Sequence, residues 1–363
     1  MTIHRKREMP GLLARALSGR RMTAGLAAAG VVVLATGWPT RALAAVTITD
    51  LATLPGGTVS IAEAINDRGT IIGDSQVASG TPRAVSWDSQ GAITELPVLP
   101  GDTFSQADGI SANGTIVGEA GAIQGFGTAV KWNRDGSVTS LAALPGYPYS
   151  SASAISNRGV IVGSAYSSNV FRAVRWNPGG SVTDLGGLPG GSFSTATSVN
   201  DEGVTVGFAY TSSGQTRAVR WSPDGRLTDL GVIPGYVASS AAMINDNGTI
   251  IGYEATATGQ LTAVRWDHAG SATVLGTLSG YPGSTPAAIN RHGTIVGLAD
   301  SAGNQTAVAV RWGRNGFVTS LSTPPGSTYF GANGINDAGV IVGFARTPDG
   351  QIDAVEWSQA SGR

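Results

Sequence analysis

The sequence predicts an all-β fold: a seven-bladed β-propeller with four antiparallel strands per blade, closed by pairing of the N-terminal strand with the last blade. Three observations carry that prediction. Tryptophan recurs at Trp87, Trp132, Trp176, Trp221, Trp266, Trp312 and Trp357, in steps of 45, 44, 45, 45, 46 and 45 residues. Two glycine series keep the same step, one at Gly69, Gly114, Gly159, Gly203, Gly248, Gly293 and Gly339, the other at Gly73, Gly118, Gly163, Gly207, Gly252, Gly297 and Gly343. The repeat is also out of phase with the chain ends. Residues 46–51 match the fourth strand of a unit, Val182-Thr183-Asp184-Leu185, and the last segment, Ala354-Val355-Glu356-Trp357, is a third strand with no fourth after it. Joining the two ends completes the seventh blade and leaves no open seam.

The third unit illustrates the blade. Residues 150–156 and 160–166 flank the turn Asn157-Arg158-Gly159, and residues 171–176 and 181–185 flank Asn177-Pro178-Gly179-Gly180. In each turn a glycine can take the positive φ that a type I turn with a bulge requires. Alternation such as Ala173-Val174-Arg175-Trp176 has the period of a strand, not of a helix. Glycine, at 53 of 363 residues, is about twice its usual share of roughly 7%, as many tight turns demand.

Composition excludes several kinds of chemistry. The chain has no cysteine and three histidines, so disulfide scaffolds, thiolate metal sites and cysteine nucleophiles are out. His268 and His292, the histidines beyond residue 44, fall in tight turns, which argues against a Ser-His-Asp triad. No glycine-rich phosphate loop opens a helix.

Residues 1–44 read as an export signal, and residues 45–363 as the propeller domain. Arg5, Lys6, Arg7, Arg15, Arg20, Arg21 and Arg41 form a basic region broken by an uncharged stretch at residues 22–40, and Ala42-Leu43-Ala44 supplies an A-x-A cleavage site. Arg20-Arg21 before the apolar stretch resembles a twin-arginine signal. General secretion and an uncleaved anchor are the alternatives; Gly25, Gly30, Gly37 and Pro39 dilute the stretch as a membrane span. Beyond residue 44 the chain holds 16 basic and 23 acidic residues, which disfavours nucleic acid as a partner. A secreted, extracellular monomer without membrane contact after cleavage is expected.

The repeated motifs resemble those of the HAF-repeat proteins, described as probable extracellular repeats. The carriers are Thr183-Asp184-Leu185-Gly186, Leu188-Pro189-Gly190-Gly191, Ile335-Asn336-Asp337-Ala338-Gly339 with Val340-Ile341-Val342-Gly343, and Arg172-Ala173-Val174-Arg175-Trp176. The family's last motif usually reads His-Ala-Phe-x-Trp, so Arg172 and Val174 stand where His and Phe would be. The resemblance implies an extracellular location and brings no activity or ligand with it.

Most repeated residues read as structure. The tryptophans should pack between blades, Asn66-Asp67-Arg68-Gly69 and its equivalents serve turns, and the residues before each Trp, such as Arg175 and Arg220, lay packed stems under exposed charges. Both hairpin turns of a blade lie at one end of the ring. The end that carries the remaining loops is the expected binding face, with Phe104, Tyr149 and Tyr329 among its aromatics.

Departures from the repeat point to a candidate site. On the innermost strand the series runs Glu63, Asp108, Ser153, Thr197, Ala242, Ala287, Asn333, and on the second strand Asp74, Glu119, Ser164, Phe208, Tyr253, Leu298, Phe344. Acids occur in adjacent blades one and two at both positions. With Asp102 they are expected to converge toward the loop-bearing mouth of the channel, flanked by Asn333. No cofactor is predicted; a divalent cation is the one candidate the acids suggest. The expected function is a secreted binding module for a glycan, an envelope component or an extracellular protein. The alternative is a hydrolase or lyase using the acids, which would then have to face one another across a pocket.

Overall fold

The computed structural model describes residues 46–122, 126–168, 170–304 and 306–359; the expected export signal lies outside them. Seven four-stranded antiparallel sheets form a ring, a seven-bladed β-propeller. The innermost strands of blades one to seven are Ser60–Ile65, Phe104–Ile110, Tyr149–Ile155, Ser194–Val199, Ala238–Ile244, Gly283–Ile289 and Phe330–Ile335. Blade seven takes its outer strand, Val46–Asp50, from the N-terminal side, paired with Ile352–Gln359 in a register that sets Asp50 against Val355. The closure read from the repeat phase is therefore the one observed.

Outer strands in blades one to six are three residues long, as in Val182–Asp184, so each blade presents a short edge. In every blade the outer-strand pairing ends one residue short of the third-strand alanine, whose N–H lies beyond the ladder. A serine of the next blade accepts it: Ala84 donates to Ser105 Oγ at 3.0 Å, and Ser60, Ser150, Ser194, Ser239 and Ser284 do the same at five further junctions. Phe330 occupies the seventh such position.

The second glycine series has a steric cause. Every innermost strand carries a β-bulge, with Glu63 the extra residue between Ala62 and Ala64 in blade one and Asp108 its equivalent in blade two. The bulge pushes a carbonyl toward the second strand, so that a Cβ on Gly73 would lie 2.0 Å from the Ile61 oxygen, and one on Gly163 2.0 Å from that of Ser151. The first series is a matter of backbone angle, with φ +80° at Gly69.

The seven tryptophans are buried between blades. Trp87 packs on Leu51, Leu54 and Ala354 of blade seven and its linker as well as on its own blade. Each such side chain buries roughly 150–250 Å², worth about 4–6 kcal/mol as an upper bound. The arginines preceding them are stitches: Arg175, Arg220 and Arg265 donate to the Pro223, His268 and Arg314 carbonyls in the next blade's outer turn, at 3.3, 3.0 and 2.9 Å.

Candidate functional site

The channel has two unlike ends. At the turn end, the connections between first and second strands meet in a network that runs nearly round the ring. Asn66 Oδ1 accepts the Arg68 and Thr70 N–H groups of its own turn, while its Nδ2 donates to Ser111 O in the next blade at 3.2 Å. Asn200, Asn245, Asn290 and Asn336 reach their neighbours in the same way. Beside them, the aspartates accept backbone N–H groups from the preceding blade: Asp201 from Asn157, Asp246 from Asp201, Asp337 from Arg291 and Asp67 from Asp337. The Asn-Asp turns thus close turns, as their sequence suggests, and also join blades, which the sequence does not announce.

A cavity of about 250 Å³ opens at this end, with Asp67, Asp108, Asp201, Asp246 and Asp337 in its lining. Arg291 Nε lies 3.1 Å from Asp337 Oδ2. Burial, and then the adjacent Asp67, raise the Asp337 pKa. Among the described residues, no three His, Cys, Asp or Glu side chains are grouped so as to hold a metal ion.

The predicted acids separate. Glu63 and Asp74 stand together on neighbouring strands of blade one, where Asp74 accepts the Ala107 N–H at 3.1 Å and Gln106 Nε2 at 3.2 Å from blade two. Burial pushes the Glu63 carboxyl up to about 7. Burial, reinforced by the neighbouring Glu63, pushes Asp74 up to about 8. Glu119 turns away toward blade three, where the Tyr166 hydroxyl donates to its Oε1 at 3.0 Å, and the Gly127 N–H of its own blade donates to the same oxygen at 3.0 Å. Asp108 is exposed and lines the turn-end cavity. Asp102 sits in the linker before blade two, its pKa raised by partial burial, and Asn333 Nδ2 donates to Ala62 O. Of the five acids, Glu63 and Asp74 form the close pair, and Asp108 opens to the opposite end from the one expected.

The aromatics do assemble at the loop end. Phe126, Tyr149, Tyr166, Phe171, Phe193 and Tyr210 form a continuous ladder over blades two to four, with successive ring centroids 5.1, 5.6, 5.1, 4.7 and 4.7 Å apart. Tyr166 is buried within it and Phe126, at its end, is 54% exposed. Phe104 is instead a buried core residue, and Tyr329 packs against Phe344 with the Arg346 guanidinium 5.1 Å from its ring centre.

One further acid escaped the sequence reading. Glu254 is fully buried in blade five, where both carboxylate oxygens accept the Ile233 N–H at 3.1 and 3.0 Å, and burial raises its pKa. Its signal was present: Ser75, Ala120, Ala165, Ala209, Ala299 and Ala345 fill the same place elsewhere.

Comparison with known proteins places the fold. No family model and no curated protein matches the sequence. Among solved structures, virginiamycin B lyase from Staphylococcus aureus is 15% identical with a TM-score of 0.53, the match covering 86% of this chain and 98% of that one. A puromycin hydrolase is 18% identical with a TM-score of 0.55, covering 84% of this chain and 54% of that one. A puromycin-hydrolysing peptidase of Mycobacterium tuberculosis is 14% identical with a TM-score of 0.52, and 53% of its chain is covered. This chain thus spans about half the length of the two hydrolases. At these identities the likeness shows a shared propeller and no shared activity.

Proposed function

We propose that this chain is an exported binding module that engages a glycan at the loop end of blades two to four. The observation that carries this reading is the aromatic ladder ending on exposed Phe126. The apolar C–H face of a sugar ring stacks on an aromatic face, and rings already braced by their neighbours lose little freedom when a ligand arrives. The dispersal of Asp108 and Glu119 supports binding over catalysis, which would need acids opposed across one pocket. The repeat motifs and the N-terminal sequence support placement among extracellular HAF-repeat proteins. A glycan-array screen of the mature protein, followed by calorimetry on a hit, tests the reading. Phe126→Ala and Tyr149→Ala should each weaken binding by about tenfold or more; unchanged affinity in both would reject it.

A second reading, a lyase, has one observation in its favour: a Glu63 carboxyl near neutrality beside Asp74, suited to moving a proton. Virginiamycin B lyase, matched over almost its whole chain, is the obvious substrate guide. Turnover of a streptogramin B antibiotic, lost in Glu63→Gln, would favour this reading over the first.

A further inference from the structure

Between the outer strand of one blade and the innermost strand of the next, the chain passes through a repeated leucine, and the residue after it adopts one of two arrangements. In five linkers its carbonyl accepts the indole N–H of the next blade's tryptophan. Ala52, Pro97, Ala142 and Gly276 accept from Trp87, Trp132, Trp176 and Trp312 at 2.7 Å, and Ser322 accepts from Trp357 at 2.9 Å. In the linkers entering blades four and five, Gly186 and Gly231 take φ of +72° and +73°, and donate their N–H groups to Asp184 Oδ1 and Asp229 Oδ1 at 2.8 Å. There the indole N–H groups of Trp221 and Trp266, both fully buried, have no hydrogen-bond partner among the described residues.

The repeats supply their own controls. Asp50-Leu51-Ala52 has the aspartate without the glycine, and Val274-Leu275-Gly276 has the glycine without the aspartate; both keep the indole bond. Only the combination changes the arrangement. An aspartate two residues ahead can capture the N–H, and the positive φ that accompanies the capture in these two linkers is free of strain only for glycine. A buried donor is normally paired, so each altered linker trades an indole–carbonyl bond for a charge-assisted bond to a carboxylate. At Asp184 the carboxylate is further held by Arg172, whose Nε is 4.0 Å from Oδ2.

We propose that the linkers Asp184-Leu185-Gly186 and Asp229-Leu230-Gly231 are two-state elements, in which the aspartate and the next blade's buried indole compete for one backbone orientation. Either residue of the Asp and Gly pair is sufficient, when replaced, to return the linker to the indole-bonded state. The position of these elements gives them consequence. The first linker runs on to Phe193 of the aromatic ladder, and the second to Ile233, which Glu254 caps. A change of state would therefore be felt at the loop end of blades four and five.

The test uses the full chain carrying ¹⁵N-labelled indoles. A hydrogen-bonded indole N–H resonates downfield of an unbonded one, and Trp221→Phe, Trp266→Phe and Trp312→Phe assign the three relevant peaks. In the parent, the Trp221 and Trp266 peaks should lie upfield of Trp312. Asp184→Val or Gly186→Ala should move the Trp221 peak into the bonded group, whereas Asp184→Asn, which keeps the acceptor oxygen, should leave it in place. Val274→Asp should move the Trp312 peak the opposite way, so the proposal stays testable if a blade-four variant fails to fold. A Trp221 peak already among the bonded ones, or a Trp312 peak unmoved by Val274→Asp, overturns it.

Discussion

At the turn end of the ring, Asn66, Asn200, Asn245, Asn290 and Asn336 each reach into the next blade through the same amide group, and four aspartates each accept a neighbouring N–H. At the loop end the blades instead differ from one another, with a ladder of rings in blades two to four and a buried glutamate in blade five. The difference is instructive because each end repeats its own backbone from blade to blade. Asparagine is kept at this place in five of the seven blades, with Ser111 and Ser156 in the other two, so repetition is largely kept where blades are joined. Side chains are free to diverge where no junction depends on them, and divergence is what a binding surface needs.

The largest effect should come from breaking what all blades share. A Cβ on Gly163 would meet the Ser151 carbonyl oxygen at 2.0 Å, and the obstacle is backbone that cannot rotate aside. Gly163→Ala should cost about 3 kcal/mol or more in urea unfolding, while Phe126→Ala at the loop end should cost well under about 1 kcal/mol. Similar costs for the two would dissolve the contrast between the shared frame and the variable end.

A smaller effect should appear with pH. Glu63 and Asp74, raised to about 7 and about 8, hold their protons more tightly in the folded than in the unfolded chain. Stability from this pair is therefore fully present below about pH 4, and is lost as the pH rises toward 8. The expected loss is about 2 kcal/mol, moderated because both groups are only partly shielded from channel water. The double variant Glu63→Gln, Asp74→Asn should flatten the pH dependence of unfolding; an unaltered slope would show that the pair does not titrate as a buried unit.

The smallest change should be a gain. Thr205 is fully buried, its hydroxyl has no partner among the described residues, and isoleucine stands at the equivalent place in the other six blades. Thr205→Val should raise stability by about 1 kcal/mol by removing an unsatisfied hydroxyl at nearly constant volume. A loss would mean that the hydroxyl has a partner in solution.

The blade count, strand order and closure were legible in the sequence because each rests on a period or a phase, and both survive without knowledge of contacts. Gly69 and its series were legible as turns. The Gly73 series was visible as a pattern, but its cause, a bulge on another strand, is a through-space fact. The serines from Ser60 to Ser284 were equally periodic and went unread, since a buried serine accepting an N–H from another blade leaves no local signature. The acids were legible as departures from the repeat, but their directions were not. Glu119 follows the Tyr166 hydroxyl of the next blade, and Asp108 is the extra residue of a bulge, which its residue type does not announce.

The proposed function gives recognition to the loop end and leaves ring closure to the turn end. Backbone amide chemical-shift mapping of the mature protein, titrated with the oligosaccharide that binds it best, tests this most directly. That division predicts shifts gathered on Phe126, Tyr149, Phe171, Phe193 and Tyr210, with the turns around Asp67, Asp201 and Asp246 unmoved. Shifts centred on those aspartates, around the cavity at the other end, would contradict it.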